Sequence, residues 1–550
     1  MTPIFQLSDD FVTREAELDP IGATHRGITV DPAETTDYSP DGWAARAEHV
    51  KATLATLATL TPSSDADRIA GAHLKERLEA TAAWHDLGEP LRTVKAHFGL
   101  VSNIRDNVDM LPRATDDDWH GIAARLSNVP VMLAAWRQSL EYGLSRGLAA
   151  ARRQAVELAA QADRYVGVHD GLVADYAAQV DGKHADALRA GIDAAHRGYG
   201  ELARYLREEY APRAVEADGV GAERYAVGAR LSLGADLDAH EAYEWGWAEL
   251  HRIEAELAAE ANQVRPGASV AEAMALLDAE HQVDGVDAYL DWLRARHAEA
   301  LDRIDAHFDI ADELRTLDVT IAHGSGAGAP YYTGPSEDGT RPGRTWWPLG
   351  GRERFAVWRE LTTVFHEGVP GHHLQIGTAK VLADRISRYA RSRSVSGHAE
   401  GWALYAERLA DELGWFTPPG SRLGMLAGSA MRAARVVIDI GCHLDLPLPD
   451  GSRWDYDKAC EVLHQRGLAQ WHRVPAEVVR YLGWPGQAIS YKLGERAWLA
   501  AREEATARPG FTLRDWHAKV LAIGPVGLSA LSESLQGAAF GPSADSTNGS

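Results

Sequence analysis

Val364-Phe365-His366-Glu367-Gly368-Val369-Pro370-Gly371-His372-His373-Leu374-Gln375 sets three histidines and a glutamate inside eight residues. Upstream, Phe355, Trp358, Leu361 and Phe365 fall three, three and four apart, the spacing of one buried helix face leading into His366. Such a face is a rigid platform for side chains that need fixed geometry. The helix cannot run unchanged through the cluster. Pro370 removes the hydrogen bond to the carbonyl of His366 and disfavours the α conformation at Val369, while Gly371 frees the backbone for otherwise costly dihedrals. On an unbroken helix His372 would point about 240° away from His366, and His373 would lie roughly 10 Å along the axis. A bulge of two inserted residues is therefore expected to swing a histidine back beside His366, and both His372 and His373 stand as candidates.

Outward from this stretch the chain is mostly helical. Ala47, Val50, Leu54, Leu57 and Leu60 recur three or four apart, and similar faces run through 66–86, 90–110, 117–145, 148–180, 183–210 and 286–310. Pro130 should kink or divide the 117–145 span, and Asp181-Gly182 is a plausible break. Asp236 to Val264 predicts one long helix, and Ser269-Val270-Ala271-Glu272 fits a capping box. Residues 1–40, punctuated by Pro3, Pro20, Pro32 and Pro40, read as irregular.

The texture changes near 315. Leu317 to Ile321 alternates like a strand, Gly324 to Gly328 is glycine-rich, Asp338-Gly339 signals a turn, and Arg344 to Trp347 predicts the returning strand of a hairpin. Helical texture resumes at Gly351 and runs to about 535. The expected architecture is a mainly α, single catalytic domain over 1–540, in two helical halves (about 1–315 and 316–540) with a deep cleft and a small β-sheet beside the histidines. Residues 541–550 are expected to form a flexible tail.

Bulk composition excludes several classes. With 550 residues, 45% of them hydrophobic, the chain can bury a large core, so disorder is excluded. A formal net charge of −23 argues against nucleic acid and anionic membranes as partners. Cys442 and Cys460 make neither a zinc finger nor a disulfide framework, and no basic-then-apolar leader or membrane-length apolar run occurs. A cytoplasmic location is the expectation.

His366-Glu367 is similar to the start of the His-Glu-x-x-His arrangement of zinc peptidases, where histidines four apart share a helix face and the Glu flanks the water at the metal. Here Pro370 stands at the fourth position. In several of those enzymes the second histidine follows a glycine, as His372 does, and this resemblance favours His372 over His373. A catalytic zinc takes three protein ligands. Ser396 to Glu407 predicts a second helix whose small residues allow close packing, with Glu400 one turn inside its start as third ligand. Glu407, seven residues on, shares the face of Glu400 and by itself reads as solvated.

These motifs, with Pro485-Gly486-Gln487-Ala488-Ile489-Ser490-Tyr491-Lys492, resemble the bacterial DUF885 family, grouped with the gluzincin-type metallopeptidases, from near Pro20 to about Leu531. The resemblance implies a helical fold like that of angiotensin-converting enzyme and thimet oligopeptidase, with a long cleft and a small sheet along it. It carries metal and acid/base roles over to His366, Glu367, His372 and Glu400.

Amide hydrolysis also needs an oxyanion donor. Tyr491 is the first candidate and His443 the second, the latter following a possible Arg435–Asp439 helix-face ion pair. Tyr331 and Tyr332 flank the hairpin and could line an edge strand that binds extended substrate. Together these residues predict a Zn²⁺-dependent hydrolase of peptide or peptide-like amide bonds, acting on a small peptide or amide through Glu367-assisted attack of water. Two other functions share the sequence: a biosynthetic zinc enzyme acting on a non-peptide amide, and a non-catalytic helical binding protein with a structural or lost metal site. Two imidazoles and a carboxylate suit zinc without excluding manganese or cobalt.

Overall fold

The computed structural model describes residues 1–166, 184–322, 329–336 and 341–535. The Asp181-Gly182 break, the Gly324–Gly328 run, the Asp338-Gly339 turn and the 541–550 tail lie outside them. The fold is mainly α. No helix among the described residues is long and apolar enough to cross a membrane.

Residues 3–25 are helical where the prolines predicted irregular chain, whereas 26–39 are irregular as expected. Pro3–Leu18 and Pro20–His25 are both helices. Each proline stands at the first helical position, where its missing N–H costs nothing, behind a side chain that caps the turn. Thr2 accepts from the Phe5 amide and Asp19 from the Gly22 amide at 3.0 Å. Pro130 stands second in Val129–Ser145, which starts directly after Asp116–Ser127 ends and has no capping side chain, so the span is divided. Ala239–Val264 is one long helix, and Ser269 and Glu272 form the reciprocal capping box.

The β region departs from the expected hairpin. Leu317–Ile321 and Gly343–Trp347 are parallel, and Tyr331–Thr333 pairs antiparallel with Gly343–Trp347 from the other side. Parallel neighbours need a crossover of about a dozen residues or more, which this connection supplies. A further strand pair, Gln282–Asp284 with Arg354–Ala356, lies outside the one region that read as β, and its second strand falls where helix was expected. Phe355 therefore belongs to a strand and stacks on Tyr289 at 3.9 Å, and the helix bearing His366 is only Glu360–Glu367.

The cores bracket the histidine stretch. Trp247, Leu250 and Ile253 of Ala239–Val264 share one cluster with Val436, Val437 and Ile440 of Ser421–Leu444, so residues before and after 315 build a common core. A second cluster holds Leu361 and Phe365 against Phe308, Trp402, Trp498 and Trp516. The helices Pro3–Leu18, Pro40–Leu57 and Asp65–Asp86 enclose a smaller core with Tyr389.

Candidate metal centre

The chain breaks at Gly368 to Gly371 into two helices, Glu360–Glu367 and His372–Val381, rather than bulging within one. The Gly371 amide donates to the Phe365 carbonyl at 3.0 Å, which folds the connection back on the first helix. A Cβ on Gly371 would collide with the carbonyls of Phe365 and His366, so only glycine permits this approach. The indole N–H of Trp402 donates to the carbonyls of Pro370, at 2.9 Å, and Gly371, at 3.2 Å. That bond fastens the break to Ser396–Glu412, the helix carrying Glu400.

The result brings His366, His372 and Glu400 together, with one donor atom from each lying within 4.8 Å of the others. Glu400 Oε2 is 3.3 Å from His366 Nε2 and 3.7 Å from His372 Nε2. Donors about 2.0–2.1 Å from a tetrahedral ion stand about 3.3 Å apart, which the His366 edge matches and the His372 edge exceeds slightly. Glu400 Oε2 is buried and makes no hydrogen bond among the described residues, as an atom reserved for a cation would.

His373 points the other way. Its Nε2–H donates to the Leu314 carbonyl at 2.8 Å, and its Nδ1 accepts from the Tyr332 hydroxyl at 3.0 Å. Both nitrogens are engaged, so His373 braces the sheet. Tyr332 thus faces inward, while Tyr331 lies 41% exposed on the edge strand, stacked on Trp346 at 5.8 Å. Gly343 makes room for this bond, since a Cβ there would lie 2.6 Å from His373 Nδ1.

Glu407 is buried, not solvated. It accepts from His366 Nδ1 at 2.8 Å and from the Thr362 hydroxyl, and Arg432 stands 3.4 Å away. This fixes the His366 tautomer, leaving Nε2 as the donor facing Glu400, in the manner of the carboxylates that orient metal-binding histidines. Its position seven residues from Glu400 carried the signal, but face-sharing alone could not say which side was buried. Burial works against the charged form of His366, but Glu400 and Glu407 outweigh it and push its pKa up to about 9. Burial would raise the Glu400 carboxyl, yet His366 and His372 hold it far below the usual range. Burial pushes the Glu367 carboxyl up against the opposing charges of His366 and His372. Glu367, Glu400 and Glu407 bring three carboxylates to one cluster with His366, His372 and Arg432.

Tyr491 opens the helix Ser490–Thr506, whose Gly494 backbone would meet any Cβ on Gly401. This close approach carries Tyr491 toward the site: burial first, then the Glu400 carboxylate, raises its phenol pKa. The Arg435 guanidinium lies 4.9 Å over its ring. His443 is placed elsewhere. It is buried, lies 3.1 Å from the Tyr481 carbonyl and 3.5 Å from Asp439, and burial lowers its pKa to about 4. Nor do Arg435 and Asp439 pair. Arg435 binds Glu477 and Tyr481, and Asp439 accepts from the Gly486 amide and the Tyr225 hydroxyl.

A family model described as a bacterial protein of unknown function, DUF885, matches residues 20–535. The chain belongs to the DUF885 family. No protein of curated description matches this DUF885 chain. Two solved structures share its fold. One, described as the "putative lipoprotein from Colwellia psychrerythraea", has 20% identity and a TM-score of 0.84, covering 96% of this chain and 98% of its own. The other, described as "a putative lipoprotein of unknown function from Shewanella oneidensis", has 17% identity and a TM-score of 0.76, covering 98% and 100%.

Proposed function

We propose that this DUF885 protein is a zinc-dependent hydrolase of peptide or peptide-like amide bonds with a gluzincin-type site. One observation carries this proposal: the donor set His366, His372 and Glu400 has three members among the described residues, as in catalytic zinc sites, where structural sites have four. Zinc bound there would supply Lewis acidity to a substrate carbonyl and to water. Glu407 holds His366 in the tautomer that can ligate. Glu367 follows His366 directly, is buried in the same cluster, and is not needed as a ligand. It takes a proton from the attacking water and delivers it to the leaving nitrogen. Tyr491 donates its phenol to the carbonyl oxygen as negative charge grows there.

The substrate is a short peptide or small amide lying in a cleft between the helical halves, along the edge strand Tyr331–Thr333. In support, Asp106 and Asp109, from the amino-terminal part of the chain, act electrostatically on Tyr331 after burial. The free thiols Cys442 and Cys460 suit a reducing compartment, the cytoplasm.

Glu367→Gln is the test. Metal content measured by elemental analysis stays at that of the wild type, while turnover of a mixed peptide library falls at least a hundredfold. Wild type that takes up no metal when zinc is supplied, or a Glu367→Gln variant that turns over normally, overturns the proposal.

A further inference from the structure

Beside the metal centre the carboxyl-terminal helices gather arginines. Arg432 Nη2 stands 3.4 Å from Glu407, the partner of His366, and its guanidinium lies 5.9 Å from the centre of the Tyr491 ring. The Arg435 guanidinium, from the next turn of Ser421–Leu444, lies 4.9 Å over the same ring. The phenol of that ring feels the Glu400 carboxylate. One tyrosine ring therefore links Arg435 to the metal ligands.

Arg435 and Arg480 share one carboxylate. Glu477 Oε2 accepts from Arg435 Nη2 at 3.0 Å, from Arg480 Nη2 at 2.9 Å and from the Tyr481 hydroxyl at 2.6 Å. Arg435 Nε donates to the Tyr481 hydroxyl at 2.9 Å, and Arg480 Nη1 donates to Gln487 Oε1 at 2.6 Å. These bonds fix both guanidiniums in place. They leave Arg435 Nη1 and Arg480 Nε without a hydrogen bond among the described residues, and neither atom is fully enclosed, in contrast to Arg432 Nε. Each of the two side chains keeps 8% of its surface exposed. The Tyr491 hydroxyl is likewise unbonded and not enclosed.

Charge narrows what these donors take. One ionised carboxylate, Glu477, serves two guanidiniums, because burial drives Asp439, another acid that feels Arg480, towards its neutral form. Lys95 adds positive charge from the amino-terminal part of the chain. Its Nζ lies 3.6 Å over the Trp484 ring, and burial, then Arg480, brings its pKa down to about 7. The exposed Phe98 lies on the same side, 5.9 Å from the Arg480 guanidinium. Guanidinium donors held in fixed geometry suit a carboxylate. We propose that Arg435 and Arg480 receive a carboxylate carried by the substrate. On the hydrolase reading above, on which this inference rests, the enzyme takes short peptides or amides with a free carboxylate near the bond it cleaves. Arg435 Nη1 and Arg480 Nε donate to that carboxylate, and the Tyr491 hydroxyl stays free for the carbonyl.

Titration calorimetry of the full-length Glu367→Gln protein, supplied with zinc, reads binding without turnover. The probes are trialanine, its C-terminal amide, and the C-terminal amide of Ala-Ala-Glu. Trialanine or the Ala-Ala-Glu amide binds at least tenfold more tightly than trialanine amide. The first result assigns the carboxylate to the chain terminus, the second to a side chain. Arg435→Met and, separately, Arg480→Gln, each added to this protein, reduce the preference at least fivefold and leave the affinity for trialanine amide unchanged. Circular dichroism checks that each variant is folded. Equal binding of all three peptides, or failure of all three to bind, overturns the proposal, as does a preference that survives both replacements. None of these results touches the hydrolase reading, which fails instead if wild type takes up no zinc or Glu367→Gln turns over normally.

Discussion

His366 gives its Nδ1 proton to Glu407 across 2.8 Å, and that bond aims the opposite nitrogen at Glu400. Partners of this kind cost about 10–100-fold in metal affinity when lost. Glu407→Ala should therefore weaken zinc binding by about 10–100-fold in a chelator competition while leaving the stoichiometry at saturating zinc unchanged. Unaltered affinity would show that Glu407 serves packing alone.

The two adjacent histidines should separate cleanly. His372→Ala is expected to empty the site, as His366→Ala and Glu400→Ala do. His373→Ala keeps the metal but strips partners from the Leu314 carbonyl and the Tyr332 hydroxyl. Each buried group left unpaired costs about 1–3 kcal/mol, so the variant should show a lower unfolding midpoint in urea with metal content intact.

Gly401 and Gly494 let two helices touch backbone to backbone. Gly401→Ala pushes them apart, and overpacking of this kind costs about 1–3 kcal/mol. Because Glu400 and Tyr491 ride on these helices, the same variant should also lose zinc affinity, measurable in the chelator competition. A lower Tm with unchanged affinity would show that the strain does not reach the site.

Acid should destabilise the fold through buried histidines outside the metal-binding set. Burial holds His73, His297 and His517 neutral, with pKa values lowered to about 3. Their folded pKa values lie below the unfolded value of about 6.5, so the unfolded chain takes up protons that the native state refuses. Stability is full above pH 6.5 and declines as pH falls towards 3, by up to roughly 1.4 kcal/mol per pH unit for each histidine. Urea unfolding at stepped pH measures the slope, and a flat profile from pH 6.5 to 4 would contradict it.

The sequence by itself determined the helical architecture, the break at Pro370-Gly371 and the candidate set His366, Glu367 and Glu400, because periodicity, proline and glycine act locally and leave marks in the order of residues. Tertiary structure decided the rest. His372 and His373 are chemically identical, and only the carbonyl of Leu314 and the hydroxyl of Tyr332, 59 and 41 residues away in sequence, occupy one and leave the other to face Glu400. Glu407 looked like a solvated residue until the helix beside it buried it against His366. The same limit explains His443, whose helical neighbours gave no sign that it would face the Tyr481 carbonyl, 38 residues away. Local chemistry is written in the chain, but which face of a helix meets which neighbour is set by packing among segments far apart in sequence.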